Sequence, residues 1–265
     1  MLIIGEKVNS SIKSVAAAIE NREADYIRKL ALDQVTAGAD MIDVNAGIFT
    51  DDEVQLLQWL VTTVQEVTDV PLCIDSPNPA ALKAALPIHR GKALVNSISL
   101  EADRYDTMLP VVKEFGASIV ALCMDERGIP RDAKGRIEIA CRLAEKLNSD
   151  GISTEDIYFD VLVQPISVDG TFGMTALEAV RGIREHLPGA HITCGLSNVS
   201  FGLPERKLLN NAFIAALIAY GMDTFIIDPL DRGMMTMIAA TKALTGQDEF
   251  CEEYLKAFRS GKLKR

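Results

Sequence analysis

The sequence predicts a single (β/α)8 barrel of the α/β class, and three observations support that prediction. Short apolar runs recur eight times along the 265 residues, helical patterns lie between them, and most runs end abruptly in Asp, Asn, Glu or Ser. Strands that alternate with helices imply a parallel sheet with right-handed crossovers. Eight such repeats in a chain of this length match a barrel whose working groups lie where the strands end. A doubly wound open sheet is the alternative.

Each apolar run predicts one buried strand. The eight runs cover residues 2–5, 41–44, 71–74, 93–95, 118–124, 157–159, 192–196 and 224–227. Because the carboxyl ends of parallel strands meet at one face of a barrel, we expect the polar residues that follow these runs to lie together.

Helices are predicted between the runs from apolar residues spaced three or four apart. The first covers residues 27–35 and ends near Gly38, which suits a left-handed C-terminal cap. Thr50 and Glu53 have the spacing of a capping box, which predicts that the second helix begins there. The remaining predicted helices cover residues 79–86, 106–115, 136–147, 175–186, 208–220, 234–244 and 249–258. The long connection 161–173, which contains Gly170 and Gly173, is a candidate lid.

Charge and cysteine content exclude several function classes. A net charge of -10 argues against nucleic acid or an anionic membrane surface as a partner. No run approaches the roughly 18–20 apolar residues that a membrane helix needs, so no membrane segment is expected. The five widely spaced cysteines contain no CxxC pair, which argues against a disulfide framework or a zinc site. A reducing cytoplasm is the expected compartment.

Three missing features narrow the chemistry further. His89, His186 and His191 are the only histidines, and none ends a predicted strand, which argues against a histidine metal site or a Ser-His-Asp triad. The phosphate-binding motifs GxGxxG and GxxxxGK(S/T) are both absent from the sequence. Lys7 follows Glu6 in a predicted loop, where it is not suited to Schiff-base chemistry. No bound metal is therefore expected.

The polar residues at the predicted strand ends are carboxylates and amides. They are Glu6, Asn9, Asp43, Asn45, Asp75, Asn96, Asp160, Asn198 and Asp228. Carboxylates accept paired N–H donors, and amides both donate and accept. Such a set suits a neutral heterocycle with an aminopyrimidine edge and repels phosphate. Some of these groups could instead pair with one another or cap helices.

Six stretches resemble the motifs of pterin-binding barrels. They are MLIIGE-x-x-N at 1–9, D-x-N at 43–45, CIDS at 73–76, LVNS at 94–97, Y-x-D at 158–160 and GLSNVSFGLPER at 195–206. Among these barrels the chain is most similar to the methyltetrahydrofolate:corrinoid methyltransferases, and the folate domain of cobalamin-dependent methionine synthase is a relative. The resemblance covers nearly the whole chain and implies one pterin-binding domain over residues 1–265.

The resemblance also implies roles for individual residues. It assigns pterin binding to Asp75, Asn96, Asp160, Gly195, Ser197 and Asn198. Asn198 matches the asparagine near N5 of the pterin, the nitrogen that carries the methyl group, and is the candidate catalytic residue. Further candidates with less defined roles are Glu6, Asn9, Asp43, Asn45 and Arg206. Arg206 could instead form a loop salt bridge of little energetic weight.

The implied reaction is methyl transfer between N5 of tetrahydrofolate and the cobalt of a corrinoid, in either direction. Asn198 is neutral, so it would donate a hydrogen bond that strengthens as charge develops at N5. The proton would come from water organised by carboxylates such as Asp43 or Asp160. The cobalamin-binding signature D-x-H-x-x-G is absent, so the corrinoid is expected on a separate protein that docks over the barrel mouth. The resemblance also implies a homodimer.

Three other functions remain open from the sequence. Dihydropteroate synthase is a related pterin barrel that needs cationic groups for a diphosphate, but its late S-x-R and R-x-H-D motifs are missing, and the region of the eighth strand reads FIIDPLDRG. A folate-binding module without chemistry and an unrelated barrel lyase are the other two. Fold alone does not decide among them.

Overall fold

Eight parallel strands form the centre of the computed structural model, which describes residues 1–263. They are β1 Leu2–Asn9, β2 Met41–Asn45, β3 Leu72–Asp75, β4 Leu94–Ile98, β5 Ser118–Leu122, β6 Ile157–Asp160, β7 His191–Thr193 and β8 Thr224–Ile227. Each strand pairs with its neighbours in the order β7-β6-β5-β4-β3-β2-β1-β8. A parallel bridge between Gly195 and Ile226 joins the two ends of that order. The predicted (β/α)8 barrel is therefore confirmed.

The helices surround the strands. They are α1 Lys13–Glu20, α2 Ala24–Ala37, α3 Glu53–Gln65, α4 Pro79–Ala85, α5 Ala102–Phe115, α6 Ala133–Ser149, α7 Phe172–His186, α8 Arg206–Ala219, α9 Arg232–Leu244 and α10 Glu252–Arg259. The predicted helices all occur, and α1 is additional. Gly38 ends α2 with a φ of 113°, the left-handed cap that its position predicts. No helix within residues 1–263 is long and apolar enough to cross a membrane.

The capping-box prediction at Thr50 was wrong. Helix α3 begins at Glu53 after Asp52, and no side chain caps its N-terminus. The buried Glu53 carboxylate instead accepts a hydrogen bond of 2.6 Å from the Ser76 hydroxyl, at the end of the next strand. A tertiary partner therefore replaces the local one.

The loop prediction for Glu6 and Lys7 was also wrong, because both residues lie within β1. The pairing of β1 with β2 shifts register between Gly5 and Val8, which is typical of a β-bulge. The Lys7 backbone N–H donates to the Gln34 side chain at 3.0 Å. A Cβ on Gly5 would lie 2.5 Å from the Gln34 Oε1 atom, so glycine is needed there for the strand to continue past the bulge.

The barrel interior divides into an apolar lower part and a polar mouth. Ile4, Met41, Cys73, Leu94 and Val120 form an apolar cluster inside the barrel, separate from the larger core between strands and helices. Side chains alternate along a strand, so the residues two positions later also face the interior, one layer higher. Those residues include the carboxylates and amides that end the strands, and the fold therefore gathers them at the mouth.

Candidate active site

Three polar strand ends lie side by side at the mouth. Asn45 of β2 aligns with Asp75 of β3, and Asp75 aligns with Asn96 of β4. The Asn45 amide donates to the Asp75 carboxylate at 2.9 Å. Its own oxygen accepts from the Ser10 hydroxyl at 2.8 Å and from the Gly47 N–H at 3.0 Å. The amide nitrogen and oxygen of Asn45 are thus both hydrogen-bonded, and the residue orients Asp75. The Asn96 side chain, in contrast, forms no hydrogen bond with the described residues.

Two carboxyl groups, Asp43 on β2 and Asp75 on the neighbouring strand β3, interact electrostatically inside the barrel. Burial and the nearby charge of Asp75 raise the pKa of Asp43 well above its usual value. Burial also raises the pKa of Asp75, while the Asn45 hydrogen bond and the Arg104 guanidinium lower it. The Asp43 Oδ1 atom is buried and has no partner among residues 1–263. Burial therefore favours the protonated form of Asp43, while the Asn45 hydrogen bond and Arg104 favour the ionised form of Asp75.

Asp160 ends β6 on the opposite side of the mouth. One of its oxygens accepts from the Leu162 N–H at 2.7 Å, and the other has no hydrogen bond within residues 1–263. Burial raises the Asp160 pKa to about 6, although the Leu162 bond and the positive charge of Arg136 lower it. Asp160 is thus an oriented acceptor whose charge changes just below neutrality.

The turn after β7 carries Gly195, Ser197 and Asn198. Gly195 completes the closure of the barrel, and residues Leu196–Ser200 form a 3-10 turn. A Cβ on Gly195 would lie 3.2 Å from the Asn198 amide nitrogen, so glycine allows that amide to lie over the strand end. The Asn198 side chain is exposed and has no hydrogen bond from the rest of the described chain. Its amide is free to donate to a ligand in the mouth.

Arg206 holds this turn in place. Its guanidinium donates to the Ser197 carbonyl at 2.7 Å and to the Ser200 hydroxyl at 3.1 Å. Asn210 donates to the Ser197 hydroxyl at 3.4 Å. Arg206 therefore supports the turn that carries Ser197 and Asn198 through hydrogen bonds to neutral groups. This role differs from the loop salt bridge that the sequence left as an alternative.

A second charged group lies where β1 meets β8. Lys7 Nζ and the Asp228 carboxylate form an ion pair at 3.0 Å. Burial, and then the charge of Asp228, raise the Glu6 pKa to about 7, while Lys7 and Arg206 act in the opposite direction. Glu6 consequently holds a proton in a large share of molecules near neutral pH. Asn9, also on β1, accepts from the Ser11 N–H at 2.9 Å and shapes the loop that follows.

The comparison with known proteins decides the family of this barrel. A model of the family described as pterin binding enzyme matches residues 5–228. The chain belongs to the pterin-binding enzyme family. It is 41% identical over 265 residues to a methylcorrinoid:tetrahydrofolate methyltransferase of Eubacterium limosum, covering 99% of this chain and 98% of that protein. It is 30% identical over 240 residues to methionine synthase of Mycobacterium tuberculosis, covering 86% of this chain but only 20% of that larger protein.

Solved structures of other pterin-binding enzymes share the fold. Dihydropteroate synthase of Vibrio fischeri superposes with a TM-score of 0.70 at 18% identity, covering 93% of each chain. That of Yersinia pestis gives 0.68 at 15% identity, covering 92% of this chain and 93% of that one. At this level of identity the likeness concerns the barrel alone. The family resemblance read from the sequence motifs is confirmed.

The histidines of this pterin-binding enzyme lie away from the mouth. His89 accepts from the Leu72 N–H at 3.0 Å, His186 lies in α7, and His191 pairs with Asp223 at 2.9 Å at the amino end of β7. Across residues 1–263, no group of three or more His, Cys, Asp or Glu side chains is arranged to hold a metal ion.

Two arginines near the mouth were not identified from the sequence. Arg104 lies beside Asp75, and Arg136 lies beside Asp160. Arg104 lies just before the predicted helix 106–115 and Arg136 begins the predicted helix 136–147, and an arginine at such positions ordinarily indicates a solvated face. A polar residue on the apolar face of α6 is the signal that could have identified Arg136.

Proposed function

We propose that this chain is a methyltransferase that moves a methyl group between N5 of tetrahydrofolate and the cobalt of a corrinoid carried by a separate protein. The observation that supports this most directly is that Asp75 at the end of β3 and Asp160 at the end of β6 lie on opposite sides of the mouth, while the free amide of Asn198 borders the same mouth from the turn after β7, the strand next to β6. The full-length likeness to a methylcorrinoid:tetrahydrofolate methyltransferase supports the same reaction and favours transfer from the corrinoid to the folate.

The pterin edge suits the carboxylates in this arrangement. Its amino group and ring N–H are donors in one plane, and Asp75 and Asp160 each carry an oxygen positioned as an acceptor. Asn96 has a free amide on the next strand to complete the set. We assign Gly195 and Ser197 to the face of the ring, because the turn that contains them borders the same opening. The ring is thereby held by fixed groups.

Asn198 would act on N5. A tertiary amine is a poor leaving group unless a donor stabilises the electron pair it gains, and a positioned donor of this kind contributes about 10²–10³-fold to a rate. In the opposite direction the same amide orients the nitrogen lone pair. Burial favours the protonated form of Asp43 and raises the Glu6 pKa to about 7, so both groups can exchange protons with water in the mouth.

The mouth also has an apolar rim suited to a protein partner. Seven large apolar side chains, with exposed fractions from 36% to 73%, lie on the loops and first helical turns that follow the strands: Ile48, Ile129, Val168, Met174, Phe201, Leu208 and Leu230. Exposed apolar groups gathered at one site are typical of an interaction surface. The corrinoid, when its carrier protein presents it, supplies the cobalt that exchanges the methyl group. We assign the rim to that carrier.

A diphosphate-dependent reaction fits the mouth less well. Lys7 is paired with Asp228, and Arg206 donates to Ser197 and Ser200. Neither cation is free to neutralise a diphosphate, which disfavours the dihydropteroate synthase alternative. We further propose one domain, a homodimer and a cytoplasmic location for this enzyme.

A two-step experiment tests the proposed reaction. Calorimetric titration with tetrahydrofolate and methyltetrahydrofolate measures binding, and stopped-flow absorbance with free methylcobalamin or reduced cobalamin then measures transfer. We expect both binding and transfer. Binding without transfer to any free or protein-bound corrinoid would support a folate-binding module, and no binding of either folate would support an unrelated barrel enzyme.

Rim variants test the assignment of the partner surface. Val168→Ser and Leu208→Ser should slow transfer with the corrinoid protein of the source organism at least tenfold and leave the rate with free cobalamin unchanged. Leu244→Ser is the matched control, since that side chain is 86% exposed at the end of α9, away from the mouth. Equal rates in all three variants with the corrinoid protein would exclude the rim as its docking surface.

A further inference from the structure

Arg136 is the largest side chain that is completely buried in the described chain. It lies in the first turn of α6, and its guanidinium donates to four neutral oxygens. These are the carbonyls of Pro130 at 3.1 Å, Val161 at 2.8 Å and Leu162 at 3.1 Å, and the Gln164 side-chain oxygen at 2.8 Å. No carboxylate of the described residues forms an ion pair with it. A buried charge without a paired countercharge is costly and needs a reason.

The acceptors show what the guanidinium organises. Three of them belong to residues 161–164, the segment that directly follows Asp160. Leu162 has a φ of 56°, a conformation that residues with a side chain rarely adopt. Its carbonyl is held by Arg136 while its N–H donates to the Asp160 carboxylate at 2.7 Å. Arg136 therefore fixes the backbone that aims one Asp160 oxygen and leaves the other facing the mouth.

The same guanidinium acts on the charge of Asp160. Its positive charge favours the carboxylate form and opposes the rise in pKa that burial causes. The other titratable groups facing Asp160 are the buried thiols Cys123 and Cys194, whose pKa values are raised so that both stay neutral. Asp132 faces Arg136 from the start of α6. Since the four acceptors are neutral, they leave the field of the guanidinium largely uncancelled at Asp160.

We propose that Arg136 is a positioning residue for pterin recognition: it holds the 161–164 backbone so that Asp160 points into the mouth, and it keeps that carboxylate ionised for the incoming N–H donors. This inference rests on the proposed function, since it assigns the Asp160 oxygen to the pterin. Arg136, on a helix outside the strands of the barrel, would thereby join the strand-end residues in pterin recognition.

Two substitutions separate positioning from general stability. Arg136→Met keeps much of the side-chain volume and removes the charge, whereas Arg136→Lys keeps the charge with fewer donors. Arg184→Met is the matched control, because Arg184 also donates to backbone carbonyls, those of Gly221 and Ala190 at 3.1 Å and 2.8 Å, at the other end of the barrel. All three variants lose structural hydrogen bonds, but only the first removes the charge beside Asp160.

The readout is the pH profile of folate binding, together with the carboxyl titration of Asp160 followed by ¹³C NMR and assigned with Asp160→Asn. For Arg136→Met we expect the midpoint of both curves to rise by about one unit, which weakens binding about fivefold at pH 6 through protonation of Asp160 and has little effect above pH 8. Arg136→Lys should restore the midpoint nearly to that of the wild type, and Arg184→Met should leave it unchanged.

The outcomes distinguish a failure of the role proposed for Arg136 from a failure of the proposed function. A wild-type midpoint in Arg136→Met would overturn the proposal, even if binding weakened equally at every pH. Should Arg136→Met fail to fold, a wild-type midpoint in Arg136→Gln would overturn it equally. A wild-type protein that binds no folate would refute the proposed function, and the NMR titration would still measure the effect of Arg136 on Asp160.

Discussion

The affinity of this enzyme for folate should depend on pH through Asp160. Burial raises the pKa of this carboxyl group from 3.8 to about 6. Only the ionised form accepts at both oxygens, one from the Leu162 N–H and the other from a pterin N–H, so the affinity falls in proportion to the ionised fraction. That fraction is about nine tenths at pH 7 and about one tenth at pH 5. The dissociation constant should therefore be about tenfold weaker at pH 5.

Calorimetric titration of methyltetrahydrofolate from pH 5 to 8 measures this effect. Asp160→Asn should bind more weakly at pH 7, and the slope of the logarithm of its dissociation constant against pH should be smaller by one proton. The slope that remains reports the titration of Asp75, whose pKa is also raised. Asp69→Asn is the control, since that side chain is fully exposed and paired with Arg90 on the surface. An ordinary aspartate would give a flat profile over this range, and a flat wild-type profile would refute the assignment of Asp160.

The stability of the ligand-free protein should have the opposite pH dependence. A carboxyl group whose pKa is raised in the folded state contributes stability that is fully present below pH 3.8 and is lost as pH rises through about 6. The shift of Asp160 corresponds to at most about 3 kcal/mol. Chemical denaturation at pH 8 should accordingly find Asp160→Asn more stable than the wild type, and a less stable variant would contradict the burial argument.

Three further predictions concern single residues. Asn198→Ala should slow methyl transfer about 10²–10³-fold and weaken folate binding less than tenfold; equal losses in stopped-flow and calorimetric data would remove its role in the transition state. Asp43→Asn should raise the denaturation midpoint at pH 8, because burial raises the pKa of Asp43; a lower midpoint would contradict that effect of burial. Gly182→Val should lower the free energy of unfolding, measured by chemical denaturation, by roughly 1–3 kcal/mol, because a Cβ there would lie 2.2 Å from the Ile137 side chain. Gly170→Ala is the control and should leave that free energy unchanged, because the position faces open space.

The polar residues at the strand ends could be predicted from the sequence because two independent signals coincide there. A buried parallel strand is a short apolar run, and a polar residue directly after it has a fixed place on one face of the barrel. Asp75 and Asp160 illustrate this, since each follows its run immediately and lies at the mouth. Their assignment to a pterin depended on the motifs around them and stays a prediction.

Other features depend on partners that are distant in the chain. The bulge in β1 is stabilised by Gln34, which lies 27 residues beyond Lys7, and no local pattern indicates that contact. Glu53 has the spacing of a cap residue and bonds with Ser76 instead. Arg136 reads as part of a helix, and its role arises only when the 161–164 segment folds over it. Tertiary contacts of this kind override local sequence signals.

The mouth of the barrel concentrates groups that are costly to bury. Asp43, Asp75, Asp160 and Glu6 all have raised pKa values, and burial is the largest cause in each case. Each of these carboxyl groups has at least one oxygen without a hydrogen-bond donor within the described chain, so the protein's own contacts offset only part of the desolvation cost. A planar ligand with several N–H groups supplies the missing donors, which lowers these pKa values and recovers part of the cost. We therefore expect the groups whose burial is costly at neutral pH to be those that favour the binding of a pterin.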